Sequence, residues 1–260
     1  MILRRVIAHF RKQEWTAIAL DFLIVVFGVF IGLQVQEWNA DRQTRAKAAV
    51  FSERLRGDLR IEAWAYDYLI KYNEDVLANA SRAIAALDDE KALSDEQFLI
   101  SVYRASNYKF YQRHRATYDE LISTGAIGLI ADANLRQTAV TLFTHSLFDV
   151  ISQEGKESEL RKVFRQTTPA AAQHALLRNC GDKRVEPGDF THIAGSLDYP
   201  CTLDLSPGEI TTAASALKGT AALAPALRLR FADVETAITD LQTSNLTMLE
   251  NLRAIAAELP

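Results

Sequence analysis

Asp21 is a carboxylate at the head of an apolar run, and it is the first place in this chain where side-chain chemistry could operate. Between Trp15 and Trp38 the sequence WTAIALDFLIVVFGVFIGLQVQEW carries only Asp21 and Glu37 as charges, and Phe22 to Leu33 is unbroken apolar sequence. As a helix rising about 1.5 Å per residue the stretch spans roughly 34 Å, enough to cross a hydrocarbon core of about 30 Å. It is expected to be a transmembrane helix over residues 15–38, with Trp15 and Trp38 at the two water interfaces. Asp21 then sits about 9 Å along the axis from Trp15. A carboxylate at that depth needs a partner, water or a proton. It could carry a proton or an ion, or it could be a protonated or snorkelling acid at a helix contact, and the contact is the expectation. Gly28 and Gly32 form G-x-x-x-G, which puts two missing side chains on one helix face and lets a second backbone approach. Asp21, Gly28 and Gly32 are therefore the candidate helix-association residues.

The other reactive side chains are sparse. The two cysteines, Cys180 and Cys201, mark the ends of a Gly- and Pro-rich stretch. With the nearby His192 alone they complete no tetrahedral zinc set. In an oxidising compartment they would close a loop worth about 3 kcal/mol in the chain-entropy model, and a Cys180–Cys201 disulfide is the expectation. The five histidines are scattered singly, and the chain has no G-x-S-x-G, no P-loop, no G-x-G-x-x-G and no H-E-x-x-H. Asp119 and Glu120 are neighbours and point apart on a helix, which removes a paired acid–base site there. The expectation is a non-enzymatic protein with no cofactor and no metal. A formal net charge of −4 argues against a nucleic-acid partner.

The elements that must position these residues read as helices. All six prolines fall at or beyond Pro169, so nothing earlier forbids long helices. Phe51, Leu55, Leu59, Ala63, Tyr66, Leu69, Val76, Ala80, Ala83 and Leu87 recur at helical spacing, and no breaker separates them from Trp38. The membrane helix is expected to continue outward to about Leu87, with Gly57 as its weak point. Ser94 and Gln97 form a capping box for a short helix toward Arg104. The aromatic and basic segment NYKFYQRHR, 107–115, is expected to be a helix that buries Tyr108 and Tyr111 and sends Arg113 and Arg115 to solvent. Gly125 ends the helical turn from Thr117, and Asp132 or Asn134 caps a helix carrying Leu135, Ala139, Leu142, Phe143, Leu147 and Ile151. Two helical pieces follow, over 157–166 and 170–178. The irregular loop covers 179–208, with room for a short hairpin. A smaller helix, 209–217, leads to a long C-terminal helix, 226–259, with Asn245 as an inward polar residue that would fix register.

Two pieces of the chain resemble a known family. DFLIVVFGVFIGLQVQEWN, and TYDELISTGAIGLIADANLRQ from Thr117 to Gln137, are similar to the recurring patterns of an uncharacterised family of bacterial single-span membrane proteins. The family pattern has polar or basic residues where this chain has Ala126 and Ala131. The resemblance implies a topology and no activity. Asp21 before an apolar run, behind a short tail, also resembles the single-span subunits of proton-driven stator complexes.

The expected architecture is all-α. Residues 1–14, basic through Arg4, Arg5, Arg11 and Lys12, are expected to form a cytoplasmic tail by the positive-inside rule; Arg42, Arg45, Lys47, Arg54 and Arg56 beyond the span offset part of that charge bias, and the paired cysteines supply the independent support for the orientation. Residues 39–260 form a periplasmic antiparallel helical bundle, held to the bacterial inner membrane by the single span. The expected partners are the lipid bilayer and either further copies of the chain or a larger membrane complex. The alternatives are a periplasmic ligand-binding bundle that signals through a separate partner, and a stator-like ion-coupled subunit that uses Asp21.

Overall fold

The computed structural model describes residues 15–258, with side chains from Leu20 onward apart from that of Asp21. The expected cytoplasmic tail 1–14 and the side chains of Trp15 and Asp21 lie outside the described residues. Among the described residues every regular element is helical. Helix α1, Trp15–Leu87, is continuous, as expected of a stretch with no proline. The chain divides into two compact units at Phe51.

In the first unit α1 displays its apolar side chains outward. Phe22 is 68 % exposed, Val25 65 % and Phe30 57 %. This is the one described helix long and apolar enough to cross a membrane. Water is a poor solvent for such a surface, at roughly 25 cal/mol for each Å² of apolar area.

The second unit begins where the same helix turns its apolar face inward. Leu55, Leu59, Tyr66, Tyr72, Val76, Ala80 and Ala83 are essentially fully buried. Around them stand α2 (Asp95–Ala105), α3 (Ala116–Ser123), α4 (Ala133–Thr144), α5 (Leu147–Glu157), α6 (Glu159–Thr167), α7 (Ala170–Cys180), α8 (Pro207–Lys218), α9 (Leu223–Thr239) and α10 (Leu246–Ala257). Both halves of the Ser94–Gln97 capping box are made, Asp132 accepts from the Leu135 N–H, and Gly125 takes a left-handed φ of 67° just past α3. The outer end of α1 shares one apolar core with α2, α6, α7, α8 and α9, centred on Phe98, Leu99, Leu160, Leu176, Leu217 and Leu227.

Four cross-links give the direction of the C-terminal helices. Arg56 meets Glu258 at 3.5 Å, Asp67 meets Arg253 at 2.6 Å, Glu74 accepts from Gln242 at 3.2 Å and Asp88 meets Arg228 at 2.7 Å. As the α1 number rises the partner number falls, so α9 and α10 run antiparallel to α1.

Four local expectations are corrected. The helix expected over 135–151 breaks at His145 and Ser146. Thr144 Oγ1 bonds back to the Val140 carbonyl, and the break turns Phe148, rather than Leu147, inward onto the Tyr66 ring at 5.3 Å. The helix expected over 226–259 starts at Leu223, with Pro225 in its first turn, where a missing N–H costs little. It is interrupted by a π turn at Asp240–Ser244. The wide turn is held by donors from outside its own ladder: Asn245 Nδ2 gives a bond to the Asp240 carbonyl (2.8 Å) and the Tyr66 hydroxyl gives one to Leu241 (3.0 Å). Asn245 therefore holds a helix defect and not an interhelical register. The segment 107–115 is an irregular strap, not a helix; Tyr108 and Tyr111 are half-buried and Arg113 turns inward. Between Cys180 and Pro207 the only regular element is a 3-10 turn, Phe190–His192, so no hairpin forms among the described residues.

Two glycines in helices make opposite predictions. A Cβ on Gly155 would lie 2.5 Å from Tyr108 Cβ and 3.2 Å from the Arg230 guanidinium, whereas one on Gly57 meets nothing within 4 Å. Gly57→Ala should raise the unfolding free energy by about 0.5–1 kcal/mol through helix propensity. Gly155→Ala should lower it by roughly 1–2 kcal/mol, because overpacking outweighs that gain. Denaturant titration of the full chain in mild detergent reads both.

Candidate functional site

Three places hold the residues that the sequence singles out or that the fold brings together. The first is the exposed face of α1. Gly28 and Gly32 lie on one face, and an added Cβ at either meets nothing within 4 Å. The backbone of Asp21 falls on the same stripe, seven residues before Gly28, by helical periodicity. Trp38 is 64 % exposed, with the Arg42 guanidinium 5.9 Å from its ring centroid. Trp15 takes part in the same helix by its backbone.

The second is the loop closed by the cysteines. Cys180, the last residue of α7, and Cys201 stand at disulfide distance, with Cα atoms 5.5 Å apart and a sequence separation of 21. Arg104, near the end of α2, organises this closure from within the fold. It is 3 % exposed and donates to the Tyr199 carbonyl at 2.7 Å, to Asp198 at 3.1 Å and to Cys201 Sγ at 3.3 Å. Asp198 also takes Arg82 at 2.8 Å. Burial pulls the Arg104 guanidinium below its ordinary value, and Asp198 opposes the pull. A buried cation of this kind holds only because nearly every donor finds an acceptor.

The third is the strap 107–115. Glu62, fully buried on α1, accepts Arg113 Nε at 2.7 Å and the His114 backbone N–H at 2.6 Å. The Arg113 guanidinium also stacks over Phe148, 4.5 Å from its centroid. Arg230, 4 % exposed on α9, donates to the carbonyls of Ala105 and Asn107. It thus satisfies the end of α2 where the strap departs. Sequence reasoning missed the roles of Glu62, Arg104 and Arg230 and sent Arg113 to solvent, where the structure pairs it with buried Glu62. The available signal was a charge placed within an apolar helical stripe, which is plain for Glu62 between Leu59 and Tyr66.

None of these arrangements is a nucleophile–base–acid relay. Tyr111 Oη meets His114 Nδ1 at 2.6 Å in the strap, and Thr191 Oγ1 and Asp189 both meet the same ring nitrogen, His192 Nδ1, at 2.9 and 2.6 Å. A relay needs the two ring nitrogens to serve different partners. The bonds from Thr191, then from His192, instead hold the Asp189 carboxyl down at about 2. Among the described residues no three His, Cys, Asp or Glu side chains cluster as a metal site would require.

Residues 21–195 match the model of a family described as a family of unknown function, DUF6090. That span covers α1 from Asp21, the strap, α7 and the Cys180 end of the loop. No curated protein and no solved structure matches the chain.

The two arginines of the strap separate buried from exposed pairing. Arg113→Ala leaves the Glu62 carboxylate buried and uncompensated and should cost about 3–5 kcal/mol of unfolding free energy. Arg115→Ala loses an i,i+4 pair with Asp119, both side chains about half exposed, and distant contacts with the Tyr118 and Phe143 rings at 5.9 and 6.0 Å, and should cost about 1 kcal/mol or less. Equal losses in denaturant unfolding would refute the assignment of Glu62 as a fixed buried anion.

Proposed function

We propose that this chain, which belongs to the DUF6090 family of unknown function, is a non-enzymatic membrane-anchored accessory protein. In this reading α1 crosses the bacterial inner membrane once, the N-terminus is cytoplasmic and the helical unit is periplasmic. The chain assembles with further copies, or docks on a larger membrane complex, through the face of Asp21, Gly28 and Gly32. The observation that carries the reading is the change of exposure along α1. Its apolar side chains from Phe22 to Val35 are exposed, while those at Leu55 and beyond are buried. A single helix with both patterns suits one segment in lipid and the next in a water-soluble core.

Two further features support it. The basic residues of the tail favour a cytoplasmic N-terminus. The Cys180–Cys201 pair at disulfide distance suits an oxidising compartment for the helical unit. Association through Gly28 and Gly32 follows from their open face, because in lipid close backbone packing replaces the hydrophobic drive that water supplies. A neutral polar group at position 21 on that stripe can bond across the contact.

Crosslinking in native membranes tests the contact. Gly28→Leu and Gly32→Leu should each reduce the crosslinked species severalfold, and Asp21→Leu should weaken it. Asp21→Asn should leave it near wild type, since the amide keeps the polar contact without a charge. Undiminished crosslinking in both glycine variants would overturn the association face. Loss of function in Asp21→Asn with assembly intact would replace the contact by a proton path.

A further inference from the structure

Beside the strap, wholly within the second unit, lies an open cavity of about 630 Å³. That is a volume ordinary for small-molecule sites. Its cationic groups are Lys109 of the strap, paired with Asp182 at 3.5 Å, and two arginines of α6. Arg161 and Arg165 are one turn apart on that helix and both line the cavity. Among the described residues neither guanidinium has a carboxylate within ion-pair distance. Arg161 is held by the Ser106 carbonyl (3.3 Å) and by the Tyr108 ring, 4.9 Å to its centroid. Burial first, and Arg165 second, lower its pKa below the ordinary value. Like charges at i,i+4 cost their helix a few tenths of a kcal/mol. Here that cost is not offset by any acid of the fold.

The one carboxylate in the wall is already bonded by side chains of the fold. Asp182 accepts from the Tyr72 hydroxyl at 3.0 Å, from Asn107 at 3.4 Å and from Lys109 at 3.5 Å. Burial, then the Asp182 charge, push the Tyr72 phenol well above its ordinary range, so it remains a donor to Asp182. The lining also carries apolar side chains, two of them largely exposed: Phe110 is 70 % exposed and Leu177 67 %. Phe164, also in the lining, is part of the buried core.

We infer that this cavity binds a small organic anion, a carboxylate or phosphate group on an aromatic or aliphatic body, with Arg161 and Arg165 taking the oxyanion and Phe110 and Leu177 covering the body. Guanidinium groups bind planar or tetrahedral oxyanions through paired N–H donors. The apolar rim explains why the body matters, since inorganic phosphate would leave Phe110 and Leu177 in water. The site is separate from the α1 face, so its failure and the failure of the membrane-contact reading are independent.

Isothermal titration of the full chain in a nonionic detergent tests it, with phenyl phosphate, benzoate, inorganic phosphate and benzylamine as the probes. Phenyl phosphate and benzoate should bind saturably, one per chain, inorganic phosphate about tenfold or more weakly, and benzylamine not at all. Arg165→Glu, on an exposed side chain, should weaken phenyl phosphate by about ten- to a hundredfold with an unchanged unfolding midpoint. Leu177→Asp should weaken it too, again without unfolding the chain. No saturable heat with either organic anion, benzylamine binding as tightly as benzoate, or unchanged affinity in Arg165→Glu would each overturn the proposal.

Discussion

One helix meets two requirements that no single solvent satisfies, and the rest of the structure depends on how it does so. From Leu20 to Val35 the apolar side chains of α1 are exposed, and from Phe51 onward the apolar face is buried. The second stretch supplies the wall against which the helices of the second unit pack. The antiparallel return of α9 and α10 is fixed by charged pairs at intervals along it, from Arg56 with Glu258 to Asp88 with Arg228. Those pairs are mostly at the surface and worth little singly. The burial of Leu55, Tyr66, Val76 and their partners supplies the stability, and the charges set direction.

Buried cations take over where the helices end. Arg230 occupies the carbonyls at the end of α2, Arg104 those of the loop beside Cys201, and Arg113 the Glu62 carboxylate under the strap. Each meets backbone or acid that would otherwise be desolvated without a partner, a loss of about 1–3 kcal/mol or more per group. The same economy makes Arg161 and Arg165 informative. They share one cavity, and among the described residues neither has a carboxylate within ion-pair distance, which is the ground for the anion site inferred there.

Much of this was legible in the residues, and the parts that were not share a cause. The apolar run from Phe22, the capping box at Ser94 and Gln97, the cap at Asp132, the turn at Gly125 and the Cys180–Cys201 pairing are set by neighbours in sequence or by composition. The π turn before Asn245 and the irregular strap at 107–115 are held by partners far along the chain. Tyr66 supplies a donor to Leu241, and Glu62 draws in Arg113 and the His114 N–H. Helical spacing reports which face of a segment is apolar, but not whether a distant donor will make a defect cheap. The cavity was invisible for the same reason, since its walls come from the strap, α6, α7 and Asp182.

The placement of the helical unit across a membrane from the N-terminus is tested most directly by a pair of reporter fusions after Pro260, one enzyme that is active only outside the cytoplasm and one active only inside. A single span with a cytoplasmic N-terminus predicts that the first fusion is active and the second silent, with the full-length fusion retained in membranes after alkaline extraction. Activity of the cytoplasmic reporter alone, or release of the fusion into the soluble fraction, would contradict it.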